Sequence, residues 1–500
     1  MPAHLKALLV VLVLATIVLI PARRTIAAIG SPRQYRSRIG LWYGSTLIAF
    51  VLHTAWLYFG AVGAWLLTIG SRERNKFALF LFLLFVLPPF PTEVPGFGLV
   101  NYLFHIDQIR FLALVILLPA FFGLQRGAQR FRFGTMLPDK LLLAYLLWTL
   151  ALLMVRTTFT DSLRQAFYLF IDIFLPYYVA SRSLRDEKDF RDAALSLVIA
   201  AAVLGAIAVF ELLRSWLLYV PLIGAFETRW HLAGYLLREG NVRAIGSTGQ
   251  AIVLGYVLAV AWGMFLYLRE SGTSRKGLLP LGLLLAGGLV ASLSRGPWVG
   301  AAAMLVLFLA VGPSAAKRLG RLAAIGIVAL PLLLISPVGN KVVSYLPFVG
   351  TVDASTVTYR ERLVEASLKV IRENPIAGKP NAVQSDELTA INEGGVVDLV
   401  NTWLGIALNQ GVVGLLLFLA LFGTAMLGIY RARRIPALSP EERVLGAALF
   451  ATLAGIQVII VTVSSISFIP VLYWSFAGMG VAYLRMAKLR RAEAAERRQP

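Results

Sequence analysis

Long, nearly uncharged apolar runs recur along the whole 500-residue chain, and they leave few folds open. Residues 139–154, 193–213, 249–268, 412–430 and 444–462 are the clearest examples. A run of about 18 or more apolar residues reads as a membrane-spanning helix, because hydrocarbon offers no partner to bare peptide groups and a helix pairs them internally. With 58% hydrophobic and 15% charged residues, the chain is far more apolar than a soluble domain of this length requires. The expected fold class is therefore an all-α polytopic membrane protein. Zero cysteines exclude disulfides, thiolate metal sites and a cysteine nucleophile.

The pattern gives about fourteen spans (12–14), near 5–21, 43–69, 77–88, 108–123, 139–154, 164–180, 193–213, 249–268, 277–293, 296–312, 320–337, 412–430, 444–462 and 467–484. The first run resembles a signal peptide in length. Arg23 and Arg24 stand where a cleavage site wants small residues, so it reads as an uncleaved span. Lysine and arginine in the connecting loops set the orientation. The face holding the loops around Arg182, Arg269, Lys317 and Arg431 and the tail after 485 carries 28 of them, and the other face carries 19. The richer face reads as cytoplasmic, with the C-terminus on it. Loop 22–40 disagrees, since its five arginines fall on the poorer face. Either the first span is inverted or absent, or this loop is an amphipathic interfacial segment. The chain then divides into N-terminal spans (1–70), a membrane core (71–337) with outward loops 88–107 and 214–248, a long outward loop (338–411), three C-terminal spans (412–484) and a basic tail (485–500). The +21 net charge reports this orientation and does not call for nucleic acid.

Candidate chemistry collects on the outward side. The passage "TYRERLVEASLKVIRENPIAG" (358–378) is a charged amphipathic helix between apolar spans. Thr358 and Glu361 have the form of a capping box, and Asn374-Pro375 ends the helix. On a helical wheel Arg360 shares a face with Val364, Leu368 and Ile371, so it is expected to point at the membrane body, whereas Arg362 joins a solvated stripe with Glu365, Lys369 and Arg372. Arg243 precedes the 249–268 span, and Arg295 sits at an outward hairpin ("SLSRGPW"). Guanidinium forks suit phosphate and diphosphate oxygens, so these three arginines suggest an anionic, lipid-linked substrate. Asp398 and His231 are the candidate proton acceptors, and Asp172, inside an apolar run, is an intramembrane acid. No outward acidic pair, P-loop or HExxH motif appears, so neither a metal nor another cofactor is expected.

"RAIGSTGQAIVLG", "SLSRGPW", "YRERLVEASLKVIRENPIAGKP" and "VNTWLGIALNQGVVGLLLFL" together resemble the O-antigen ligase/polysaccharide polymerase family over about 235–430. The resemblance implies a C-type glycosyltransferase-like membrane fold with a long periplasmic loop. It matches the family's long-loop arginine to Arg360 and its earlier outward arginines to Arg243 and Arg295. It implies a metal-independent, inverting enzyme of the bacterial inner membrane that uses an undecaprenyl-diphosphate-linked oligosaccharide. Membrane lipid, a chain-length regulator and a flippase are its expected partners. The ligases carry a histidine where this chain has Val400 in "VNTWL", which moves the base role to Asp398, with Asn401 and Glu361 as secondary candidates alongside Arg362 and Asp172. The layout looks closer to the exopolysaccharide polymerases than to the ligases that load glycan onto lipid A-core. A secondary transporter or flippase, with Asp172 as coupling residue, is the alternative of another class; the two halves show no paired broken helices to favour it.

Overall fold

Helices form where the apolar runs lie, because within each run every peptide group finds its partner four residues away. The computed structural model describes residues 1–27, 32–52, 54–98, 100–126, 132–226, 235–238, 240–271, 275–335, 354–391 and 399–497. Among these, seven helices are long and apolar enough to cross a membrane: Ala3–Arg23, Gln108–Arg126, Leu137–Arg156, Glu187–Arg214, Ala251–Glu270, Thr402–Ala432 and Pro440–Ile460. Gly277–Ala291 and Arg295–Val311 are apolar but shorter. The protein is thus a helical, multi-pass membrane protein.

The helices at 187–214, 251–270 and 468–496 form the centre, where side chains are buried on nearly every face. Around them, the 137–156 helix exposes Leu143, Leu147 and Met154, and the 275–291 helix exposes Leu279, Leu283 and Val290. Such apolar stripes suit contact with acyl chains rather than water. Lipid supplies no hydrophobic drive for helices to associate, so close packing through small residues carries more of it. A methyl group on Gly288 would overlap Gly205 across the 187–214/275–291 contact, and one on Gly300 would overlap Ile459.

Several sequence readings change. The 43–69 run is two helices, Pro32–Leu52 and Ala55–Thr68. The run at 77–88 holds only the short Lys76–Leu83 helix, buried all round against the 187–214 helix. The all-α class holds, with two short hairpins added in the loops. Thr92–Pro95 pairs antiparallel with Tyr102–Ile106 inside loop 88–107, and Leu237–Arg238 pairs with Asn241–Val242 inside loop 214–248. Both are short hairpins closed at glycine-containing turns, a local signal that hydropathy counting does not register. The helix expected from 358 begins at Ala354, so Thr358 and Glu361 are not its N-terminal cap.

Arg38 corrects the placement of loop 22–40. Its buried guanidinium bonds Glu73 Oε1 (2.5 Å), Asp192 Oδ1 and Oδ2 (2.7 and 2.8 Å) and Ser196 Oγ (2.8 Å). Nearby, Arg191 pairs with Glu187 and Glu441, and Arg490 with Glu442 at 3.0 Å. Segment 32–40 therefore lies at the same end of the bundle as 70–76, 187–192, 439–443 and the C-terminal helix. The first helix reaches that end at Thr25, which packs against Gly277. At roughly 1.5 Å per residue its 25 residues carry Ala3 to the opposite end. The first span is inverted relative to the parity count. With the five arginines moved and Lys6 removed, the loop count taken from the sequence changes from 28 and 19 to 32 and 15, which removes the charge anomaly.

Because the chain has no cysteine, single cysteines report this topology. Arg36→Cys and Ala495→Cys should react with an impermeant thiol reagent only after permeabilisation, and Pro2→Cys should react in intact cells. Labelling of Arg36→Cys and Pro2→Cys from the same side would overturn the inverted first span.

Candidate functional site

One buried carboxylate organises the end of the bundle opposite the basic network. Glu211, in the last turn of the 187–214 helix, is fully buried. It accepts hydrogen bonds from the backbone N–H groups of Leu218 (3.0 Å), Ile245 (2.9 Å) and Gly246 (2.8 Å). A buried carboxylate is tolerated only when its oxygens are satisfied in this way. The segment 243–250 is pinned further by Ser247 Oγ, which donates to the Phe85 carbonyl (2.5 Å). Gly246 and Gly249 adopt φ of 51° and 73°, a region that glycine enters without steric cost.

The pinned segment presents two arginines to one turn. The 237–242 hairpin, closed at Gly240 (φ 75°), sets Arg238 and Arg243 side by side. Arg238 Nη1 donates to Leu293 O (2.6 Å), and Arg243 donates to Ser292 O (3.4 Å) and Ser294 Oγ (2.8 Å). Leu293 holds φ at 48°, an uncommon conformation for leucine. Ser294 precedes the 295–311 helix but does not cap it, since its hydroxyl donates to the Ala251 carbonyl (3.0 Å). The helix thus opens at half-buried Arg295, and the Ser294 side chain does not cap it. Burial, then the charge of Arg238, holds the Arg243 guanidinium down to about 10. It stays a cation at neutral pH, but its surroundings oppose that charge, and a bound anion would relieve both effects.

The C-terminal helices meet this turn. A side chain on Gly296 would run against Thr462 and Val463. The Val463 carbonyl in turn accepts from Thr402 N (3.0 Å) and Thr402 Oγ1 (2.7 Å). The start of the 402–432 helix, capped by Asn401 Oδ1 on Leu404 N (3.1 Å), is therefore held beside the start of the 295–311 helix. The 402–432 helix is itself broken at Gly411 (φ 71°, ψ −176°). Val412 N bonds Pro375 O (2.7 Å), and Lys379 N bonds Leu408 O (2.8 Å), so the Asn-Pro turn that ends the loop helix docks into the break. Arg156 closes it by donating to the carbonyls of Asn409, Ala377 and Gly378, each at 2.7 Å. The 354–373 helix packs Leu363 and Val370 on Ala382, Leu388 and Leu408, which forms a small core separate from the main one.

Residues 280–419 match the family model described as O-antigen ligase. The match over this stretch supports the O-antigen ligase/polymerase family. No curated protein matches the chain. The family region contains Arg295, the loop helix, Asn401 and the Gly411 break, and Arg243 lies upstream of it. The family implies O-antigen ligase or polymerase-type chemistry on a lipid-linked glycan in a membrane.

Of the residues singled out from sequence, Arg243 and Arg295 come together at the Ser292–Ser294 turn, and Asn401 is a helix cap beside it. Arg360, Glu361 and Arg362 are exposed on the loop helix. The wheel assignment holds for Ile371 and needs correction elsewhere, because the docked face is Tyr359, Leu363, Ala366, Ser367, Val370 and Ile371, while Val364 and Leu368 are exposed. Arg360 lies about 60° from Leu363, and Arg362 about 100° to the other side. Both therefore flank the docked face, with Arg360 the nearer. Asp398 and His231 lie outside the described residues. Asp172 is paired with Arg110 (2.8 Å), which also stacks over Tyr168 at 3.8 Å. Sequence reasoning missed Arg238, Glu211 and Arg156. Gly240 between Arg238 and Arg243 was the available signal for the first; nothing local marks the other two.

Glu211→Ala should release the 243–250 segment and leave buried N–H groups unpaired, at about 1–3 kcal/mol for each group left orphaned. The expected result is a lower unfolding temperature and faster tryptic cleavage after Arg238 and Arg243 in membranes. Wild-type protease resistance would show that the carboxylate does not hold this loop.

Proposed function

We propose that the protein joins undecaprenyl-diphosphate-linked oligosaccharide repeat units into a longer polysaccharide at the periplasmic face of the inner membrane, with its C-terminus in the cytoplasm. The observation that carries this reading is the pair Arg238 and Arg243, held side by side on the turn that opens the 295–311 helix at Arg295. The cations and the start of the helix offer a diphosphate several charge-assisted donors. They would hold the diphosphate in the ground state and stabilise the charge that grows as the sugar–phosphate bond breaks. The hydroxyl of the acceptor sugar attacks the anomeric carbon from the opposite side, so the reaction inverts its configuration without a metal. Asp398, or else His231, accepts the proton of that hydroxyl. The loop helix, docked through the Gly411 break, delivers Arg360 to the substrate.

Transfer to lipid A-core is the neighbouring reading within the same chemistry. Val400, in place of the histidine of the ligases, favours polymerisation. For ion-coupled transport, the bidentate bonding of Arg110 to Asp172 is adverse, because the acid already has a fixed counter-charge.

Arg243→Ala, Arg295→Ala and Arg360→Ala should each abolish polymer formation in proteoliposomes supplied with purified lipid-linked repeat units, while the protein still inserts. Arg360→Lys should rescue poorly, since an ammonium lacks the forked geometry, and Arg362→Ala should be mild. Retained polymerisation in Arg243→Ala would sink the diphosphate assignment.

Asp398→Asn should lower turnover by about 10²–10⁴-fold while leaving binding of the lipid-linked substrate intact. Wild-type turnover in that variant would transfer the role to His231. Lost binding would recast Asp398 as a structural partner of the arginines.

A further inference from the structure

A second cationic site lies at the basic end of the bundle, far in sequence from the arginines described above. A cavity of about 420 Å³ opens between the C-terminal ends of the 251–270 and 295–311 helices and the start of the 440–460 helix. Phe308, Val311 and Val444 form an apolar wall, and Arg318, Arg433 and Arg443 supply charge. Glu270 is the acid in the lining, and it pairs with Arg318 at 3.1 Å. That leaves a net charge of two positive from Arg433 and Arg443, whose guanidinium groups donate to the backbone carbonyls of Val311 (2.5 Å) and Pro436 (3.0 Å). Arg433 Nε is buried with no hydrogen-bond partner among the described residues. Burial, opposed by Tyr430 and reinforced by Arg434, holds the Arg433 guanidinium below its usual range.

We propose that this cavity binds a phosphate group, and that the phosphate is carried by the headgroup of an anionic phospholipid. Basic pockets between spans at the positively charged side of a membrane protein are suited to such headgroups. Arg433 and Arg443 contact the phosphate oxygens, and the Arg433 Nε supplies a donor that has no acceptor among the described residues. The acyl chains run along the apolar wall toward Val306, exposed on the 295–311 helix, and Leu427, exposed on the 402–432 helix that ends at Arg433. A soluble phosphate would have no use for that wall. The site is independent of glycan transfer, since it sits at the end of the bundle opposite Arg243.

The test uses the full chain purified in detergent, with binding read by native mass spectrometry and by the unfolding midpoint. Phosphatidylglycerol should bind and raise the midpoint; phosphatidylcholine and inorganic phosphate should do neither. Arg443→Gln, at an exposed position, and Val444→Glu, which adds a negative charge to the wall, should each weaken phosphatidylglycerol binding about fivefold. Their unfolding midpoints without lipid should match the wild type. Equal binding of phosphatidylcholine, or unaltered phosphatidylglycerol affinity in both variants, would overturn the proposal. Equal protection by inorganic phosphate would overturn the lipid assignment in favour of a soluble phosphate.

Discussion

The buried carboxylate of Glu211 is the constraint on which the candidate site depends. Three backbone N–H groups from two separate segments converge on it, so the chain after the 187–214 helix must fold back rather than extend outward. That fold-back fixes the 237–242 hairpin and sets Arg238 and Arg243 against the Ser292–Ser294 turn. A charged group in this position would be destabilising if any of the three donors were absent. The outer loop is therefore closed by the need to satisfy Glu211, before any substrate is considered.

At the other end, charge pairing does the equivalent work. Arg38 bridges Glu73 and Asp192, while Arg191 and Arg490 reach Glu441 and Glu442 in the C-terminal half. Each pair joins helices distant in sequence, and their common position at one end of the bundle explains why the N-terminal arginines belong with the basic loops. The protein thus has a cross-linked, strongly basic end and an opposite end where Arg238 and Arg243 donate to the Leu293 and Ser292 carbonyls and the Ser294 hydroxyl.

The loop helix is connected to this second end by a broken helix. Gly411 interrupts the 402–432 helix, and the carbonyls freed by the break are taken up by Arg156 and by the Asn-Pro turn at 374–380. A side chain at Gly411 would strike the Ile376 carbonyl, and one at Gly378 would strike Leu408, so the two glycines let the backbones interlock. Broken helices of this kind place polar backbone at the membrane boundary only where protein covers it.

The sequence by itself determined the class of the protein. Apolar run length and the internal hydrogen bonding of helices are local properties, so a membrane protein of many helices was legible, as was the amphipathic character of 354–373. Arg243 and Arg295 were legible as candidates because each borders backbone punctuated by glycine, serine or proline. Tertiary structure alone decided the rest. That Glu211 would serve a loop thirty residues away, that Arg156 would seal a helix break 250 residues later, and that Arg38 would draw its segment to the basic end all depend on pairings between distant parts of the chain. Hydropathy and periodicity describe what each segment buries; they hold no information about which buried polar group will meet which, because that is set only when the helices pack.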